Sequence, residues 1–194
     1  YFWIVRSNFI KESYVLGLKY LGEKQDSVPQ KLICSVAISS PCDLFSCAVK
    51  MDSRSSEFYR IRFLKMLLNK MQLKKKLFGN EVNLDGYRII KTFREFDNRF
   101  TAPFHGFKDA EDYYRKSGCL KYLDNIKSPV LMISAADDPF LTEECFPFDI
   151  ASNSRFIHLE VTSGGGHMGF VSFNSSGEYW HESRAFQFIQ EIAG

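Results

Sequence analysis

The chain has 194 residues, 45% of them hydrophobic, and a formal net charge of +2. This length and composition suit one globular domain with a sizeable core, and the small net charge gives no sign of nucleic-acid binding. Five scattered cysteines with no C-x-x-C pair indicate reduced thiols, and no apolar run reaches the roughly 18 residues of a membrane span. We therefore expect a cytoplasmic protein.

Strands and helices are predicted to alternate from the start of the chain. Tyr1–Val5 is aromatic and β-branched, as in a strand. Tyr14–Glu23 has apolar residues at helical spacing, and Gly22 is expected to weaken its last turn. Leu32–Ile38 is a continuous apolar run, which is typical of a strand buried on both faces of a parallel sheet.

The second half continues the alternation. Val130–Ser134 and Phe156–Val161 are predicted as two further buried strands, and His181–Ala193 as an amphipathic closing helix. The apolar side of that helix is expected to consist of Phe186, Phe188, Ile189 and Ile192. Strands separated by helical segments favour an α/β fold with a mostly parallel sheet.

A long helical insertion is predicted between the second and third strands, at residues 44–126. Its first helix, expected at residues 57–76, contains one acid and seven basic residues. Its apolar stripe is expected to be Phe58, Ile61, Leu64, Leu67, Leu68 and Met71. The simpler interpretation is an amphipathic helix with a solvated basic face. The sharper interpretation is a peripheral contact with an anionic membrane surface or an acidic substrate.

An acid and a base follow the last two predicted strands. Asp137 and Asp138 follow the strand at Val130–Ser134, and His167 follows a run of three glycines about 29 residues later. A strand-end carboxylate that orients a histidine is two thirds of a Ser-His-Asp triad. We assign the acid role to Asp138 and expect Asp137 to face a backbone amide or solvent. Both aspartates would otherwise be ordinary turn residues, because Asp-Pro commonly begins a turn.

The other histidines give weaker signals. His105 is expected either to contribute to a pocket or, as we favour, to pack under the helical lid. His158 lies within a predicted strand and His181 at a helix start, so neither is assigned a function. No residues have metal-ligand spacing, and no glycine-rich loop has a phosphate-binding form, so no cofactor or metal is expected.

Several motifs together carry a family resemblance. They are Lys19-Tyr-Leu-Gly-Glu23, Thr92-Phe-Arg-Glu-Phe-Asp97, Phe100-Thr-Ala-Pro103, His105-Gly-Phe-Lys-Asp-Ala-Glu-Asp-Tyr-Tyr-Arg115, Asp137-Asp-Pro-Phe140 and Gly165-Gly-His-Met-Gly-Phe-Val171. From about Leu18 to the C-terminus the chain resembles the YheT-like α/β-hydrolases, which include plant embryogenesis-associated proteins and animal phospholipase relatives. The resemblance implies an α/β-hydrolase fold, carboxylic ester hydrolysis, and acid and base roles for Asp138 and His167.

The chain departs from this family at the nucleophile. Family members carry Gly-x-Ser-x-Gly-Gly just before the segment matching Leu16–Glu23, and counting back places Lys11 at the serine position. The tight nucleophile turn needs small neighbours, for which Phe9 is poorly suited. Ser13 would need a two-residue shift and Ser7 a four-residue insertion, so neither is assigned as the nucleophile.

The resemblance also implies several earlier strands, and one of their loops would supply an oxyanion-hole amide. We therefore expect residues 1–194 to form a single, truncated α/β-hydrolase domain that lacks its N-terminal strands and has a helical cap at residues 44–126. The first expected function is a serine hydrolase of carboxylic esters or lipids, impaired by the loss of the nucleophile turn. The alternative is a non-catalytic remnant that binds a partner through the basic helix or an exposed sheet edge.

Overall fold

The computed structural model describes residues 11–79, 82–171 and 177–194, with side chains from residue 15 onward. The strand expected at Tyr1–Val5 lies outside these residues. The chain divides into two compact units. The first consists of residues 1–46 and 117–194, and the second of residues 47–116. The second unit falls within the segment predicted as a helical insertion.

Helices make up most of the regular structure. In chain order among the described residues, they are α1 (Lys11–Lys24), α2 (Leu44–Asp52), α3 (Glu57–Phe78), α4 (Phe93–Phe96), α5 (Ala102–Phe104), α6 (Ala110–Ser117), α7 (Phe148–Asn153) and α8 (Trp180–Ala193). Short 3-10 turns lie at Gln25–Ser27, Arg54–Ser56, Tyr87–Ile89, Leu120–Asn125 and Glu143–Cys145, and a π-helical turn at Asp97–Thr101. The helices predicted at the start, in the basic segment and at the end of the chain are confirmed.

The first unit is built on a parallel sheet, as the sequence predicts. Its described strands are β1 (Ser35–Ile38), β2 (Val130–Ala135) and β3 (Ile157–Thr162), in the order β1-β2-β3. The first strand begins later than predicted because Leu32 is part of a turn, in which its N–H donates to the Pro29 carbonyl at 2.8 Å.

Burial differs between the strands according to their neighbours. Every residue of β2 is buried, because this strand lies between the other two. In β3 only Ile157 is buried, so the prediction of a third fully buried strand is wrong. This strand is at the edge of the described sheet, and Glu160 accepts from the Arg184 guanidinium of α8 at 2.8 Å. On α8, Phe188 and Ile189 are buried as predicted, but Phe186 is exposed.

Helix α1 packs closely on the 3-10 turn at Leu120–Asn125. Its buried residues Val15, Leu18 and Leu21 belong to the core of the first unit. A Cβ atom on Gly22 would lie 2.1 Å from the carbonyl oxygen of Tyr122, so only glycine fits. The helix continues past Gly22 to Lys24, and the glycine permits this close contact.

The second unit has a separate core beneath α3. Leu64 and Met71, two helical turns apart, pack there with Val82, Phe96 and Phe100. Leu67 and Leu68 are partly buried against this core. Phe58 and Ile61, predicted to belong to the same stripe, are instead exposed. Hydrophobic residues cover so much of α3 that the core-facing side could not be identified from the sequence.

The Phe-Arg-Glu-Phe-Asp motif has a structural role within the second unit. The Asp97 carboxylate accepts hydrogen bonds from Thr101 Oγ1 at 2.5 Å and from the Tyr114 hydroxyl at 2.6 Å. Burial and the nearby Asp97 charge raise the pKa of Tyr114, so the phenol stays a donor. The Asn98 side chain accepts from the Ala110 N–H at 2.7 Å, which joins the π-helical turn to the start of α6. Asp97, the last residue of the motif, and the adjacent Asn98 thus connect the π-helical turn to α6.

The Gly22 contact provides a test of the packing of α1. We expect Gly22→Ala to lower the free energy of unfolding by about 1–3 kcal/mol, because the added methyl group meets backbone that cannot rotate away. Gly17→Ala is the matched control in the same helix, since a Cβ there meets no atom within 4 Å. It should raise stability by about 0.5–1 kcal/mol through helix propensity. Urea unfolding measures both, and equal effects of the two substitutions would contradict this packing.

Candidate active site

Asp138 and His167 follow neighbouring strands at the same edge of the sheet. The parallel strands β2 and β3 pair Ala135 with Thr162, their last residues. Asp138 comes three residues after the first of these and His167 five residues after the second. Because the strands are parallel, both loops leave the carboxyl edge, where ligands bind in open α/β sheets.

The two side chains are joined by a direct hydrogen bond. His167 Nδ1 lies 2.8 Å from Asp138 Oδ2, with the carboxylate fully buried and the imidazole partly exposed. Asp138 Oδ1 accepts from the N–H groups of Phe140 at 2.8 Å and Leu141 at 3.3 Å. These bonds compensate for burial of the carboxylate. We assign the proton to Nδ1, which leaves Nε2 of the partly exposed ring with a lone pair.

Phe140 also supports the imidazole. Its ring meets that of His167 edge-on, with 4.8 Å between the ring centroids and an interplanar angle of 76°. The residue therefore contributes twice, through its N–H to the acid and through its ring to the base. In the sequence, Phe140 stands out only as part of the Asp-Asp-Pro-Phe motif.

Asp137 holds the loop that carries the histidine. Its Oδ1 accepts from the Gly166 N–H at 2.8 Å, so of the two predicted environments, a backbone amide or solvent, the structure shows the amide. The two adjacent aspartates therefore have different tasks. Asp138 contacts the imidazole, and Asp137 contacts the backbone one residue before it.

The glycines make the loop compact. The Gly165 carbonyl accepts from the N–H groups of Gly169 at 3.1 Å and Phe170 at 2.9 Å. A Cβ atom on Gly165 would lie 2.7 Å from the buried Phe170 ring, and Gly166 has a φ of +59°, which suits glycine. The loop thus turns sharply around His167.

The candidate nucleophiles from the sequence cannot be placed. Ser7 lies outside the described residues, as do the side chains of Lys11 and Ser13. Cys42 is no substitute for a serine, because a hydrogen bond with Cys119 and burial raise its pKa well above that of a free thiol. A protonated thiol is a poor nucleophile.

Ser39 and Ser40 directly follow β1, and no functional role was predicted for either. Both are buried. The Ser39 hydroxyl has no hydrogen-bond partner in the part of the chain that the structure describes, whereas the Ser40 side chain contacts the Cys42 thiol. Ser39 also has a φ of +50°, a conformation that costs a non-glycine residue about 1–3 kcal/mol. Its N–H donates to the Ile133 carbonyl at 2.7 Å, which fixes this strained turn beside β2. The only sequence signal was a polar pair that ends an apolar run.

Two of the other histidines are exposed. His105 is exposed at the end of α5, so the prediction that it packs under the lid is wrong. His158 is exposed on β3, and its ring contacts Phe188 at 5.2 Å between centroids. Among the described residues, no group of three or more His, Cys, Asp or Glu side chains is arranged to hold a metal ion.

The histidine loop can be tested with two adjacent glycines. We expect Gly165→Ala to lower the free energy of unfolding by about 1–3 kcal/mol, because its methyl group would overlap the Phe170 ring. The matched control is Gly164→Ala, whose Cβ would make only an ordinary contact, 3.5 Å from Asp137 Oδ2. That exposed position should change stability by no more than about 0.5 kcal/mol. Urea midpoints distinguish the two, and a tolerated Gly165→Ala would contradict the loop geometry.

Comparison with known proteins supports the family suggested by the motifs. No family model matches the chain. A monoacylglycerol lipase of Saccharomyces cerevisiae is 31% identical, over 88% of this chain and 39% of the relative. The putative esterase YheT of Escherichia coli is 31% identical, over 77% of this chain and 45% of the relative. The human phospholipase ABHD3 is 28% identical, over 92% of this chain and 44% of the relative.

Among solved structures, an esterase of Pyrococcus furiosus, Pf2001, has a TM-score of 0.48 and 16% identity, over 93% of this chain and 51% of that one. The chain spans less than half the length of the three curated relatives named above. Its parallel sheet, its strand-end Asp-Asp-Pro and Gly-Gly-His motifs and these sequence relatives lead to one conclusion. The chain belongs to the α/β-hydrolase family, in the group that includes the YheT-like esterases.

Proposed function

We propose that this chain carries the acid and the base of a Ser-His-Asp hydrolase of the esterase or lipase type. The observation that supports this most directly is the 2.8 Å hydrogen bond between His167 Nδ1 and Asp138 Oδ2. With Nδ1 bound in this way, Nε2 accepts the proton of an attacking serine and later returns it to the leaving group. The buried carboxylate holds the ring in this tautomer and stabilises the imidazolium that forms.

The proposed substrates are carboxylic esters, including lipids. The relatives are named as a monoacylglycerol lipase, a putative esterase and a phospholipase, and these names support that substrate class. The basic helix α3 is proposed as a peripheral contact with a lipid surface. No described helix is long and apolar enough to cross a membrane. The five cysteines are buried thiols outside any disulfide, which supports the proposed cytoplasmic location.

We further propose that the chain alone hydrolyses esters poorly. A base without a nucleophile cannot form an acyl-enzyme, and the family resemblance aligns Lys11 with the nucleophile. The alternative, a non-catalytic hydrolase remnant that binds a partner, is supported by the exposed hydrophobic residues of α3, among them Phe58 and Leu77. If the partner is a second copy of the chain, size-exclusion chromatography tests this alternative. A strictly monomeric chain would exclude pairing between copies.

A fluorophosphonate probe, which labels activated serines, tests the catalytic proposal. We expect no labelling of the chain itself. A fusion that places the N-terminal half of a YheT-like esterase, with its earlier strands and its Gly-x-Ser-x-Gly segment, before Leu16 should be labelled. In the fusion, His167→Ala should slow labelling by about 100-fold or more, because the general base is lost.

His158→Ala is the control, because it removes an exposed histidine from β3 without touching the acid–base pair. Circular dichroism checks that each fusion is folded. An equal labelling rate for the fusion with and without His167→Ala would contradict the catalytic assignment. Labelling of the chain itself at Ser7 or Ser13 would instead overturn the proposed impairment.

A further inference from the structure

The C-terminal end of α3 presents large hydrophobic side chains to solvent. Leu73, Leu77 and Phe78 are 58%, 78% and 55% exposed, respectively. The helix ends at Phe78, and Gly79, with a φ of +58°, turns the chain away. Single exposed hydrophobic residues are common, but three within six positions indicate a surface that contacts something other than water.

The same segment is strongly basic. Residues 58–79 contain seven Lys or Arg side chains and no acid. The one acidic residue of α3, Glu57, lies at the opposite end of the helix, where it pairs with Arg60 at 3.6 Å. The exposed hydrophobic residues therefore lie among Lys74, Lys75 and Lys76, far along the helix from that carboxylate.

The lysines and the hydrophobic residues form one surface. Lys74 Nζ lies 5.3 Å from the centre of the Phe104 ring, which is itself about half exposed. The lysine ammonium group thus lies over an aromatic ring, as in a cation–π contact. We name Leu73, Lys74, Lys76, Leu77, Phe78 and Phe104 the α3 tip. The residues that hold α3 to its own unit, Leu64 and Met71, are buried in the core.

This combination fits an anionic lipid surface better than other partners. Two copies of the chain would bring their basic helices together and repel each other. A nucleic acid would attract the lysines but offers no acyl region for Leu77 and Phe78. At a membrane interface, hydrophobic side chains enter the acyl boundary, and each nearby lysine gains from negatively charged head groups.

We propose that the α3 tip docks on membranes that contain anionic lipids, with Leu77 and Phe78 inserted and Lys74 and Lys76 at the head-group phosphates. This inference rests on the proposed lipid contact of α3 and identifies the residues that make it. Docking needs no catalysis, so the test measures binding to vesicles rather than hydrolysis.

Sedimentation with vesicles tests the charges first. The chain should bind vesicles of phosphatidylcholine and phosphatidylserine (3:1) and bind pure phosphatidylcholine far more weakly. Lys74→Gln with Lys76→Gln should lower the partition coefficient by about 30-fold, at roughly 1 kcal/mol for each lysine. The control, Lys31→Gln with Lys127→Gln, removes the same charge from exposed positions of the first unit and should change binding by less than about threefold.

A second pair of variants tests insertion. Leu77→Gln with Phe78→Gln should reduce binding by at least about tenfold, because each side chain leaves the acyl boundary. Phe58→Gln with Ile61→Gln removes equally exposed hydrophobic residues from the other end of α3 and should leave binding within about twofold. Circular dichroism checks the folding of every variant.

Several outcomes would overturn the inference. They are equal binding to both kinds of vesicle, equal losses from the two ends of α3, and loss of self-association in the Leu77→Gln, Phe78→Gln variant. The last result would identify the α3 tip as a contact between copies. None of these results bears on whether His167 acts as a base, so this inference and the proposed hydrolase function fail independently.

Discussion

The structure around the candidate site depends on how the buried Asp138 carboxylate is satisfied. A buried charge without partners is strongly unfavourable, so the surrounding backbone must supply donors. The N–H groups of Phe140 and Leu141 bind Oδ1, which leaves Oδ2 for the imidazole. The backbone N–H groups therefore orient the Asp138 carboxylate, and the carboxylate in turn fixes the position of the His167 ring.

This constraint explains why two aspartates and several glycines occur together. His167, five residues after the end of β3, must reach the Asp138 carboxylate in the loop after the neighbouring strand β2. A loop this short requires close backbone approach, which Gly165 permits, and a further hydrogen bond, which Asp137 provides through Gly166. The two motifs are thus the two halves of one local structure. All of these hydrogen bonds join residues of the first unit.

The sequence predicted this edge of the sheet well and other regions less well. The strands around Val130 and Ile157 and the Asp138–His167 geometry follow from apolar runs that end in polar motifs, a strong local signal. The exposure of Phe186 and Ile61 was not predictable, because periodicity identifies a hydrophobic face but not which neighbour covers it. The strained turn at Ser39 and the role of Gly22 were missed for a similar reason. Both depend on contacts with residues more than 90 positions away.

The most direct test of this account is the protonation of the His167 ring, observed by long-range 1H–15N correlation in the neutral imidazole. We expect the proton on Nδ1 in the unmodified chain and in Asp137→Ala, which removes a carboxylate that accepts from the Gly166 N–H rather than from the imidazole. In Asp138→Ala the proton should no longer be held there, and both tautomers should be populated. A proton on Nε2 in the unmodified chain, or identical spectra for the Asp138→Ala variant, would contradict the account.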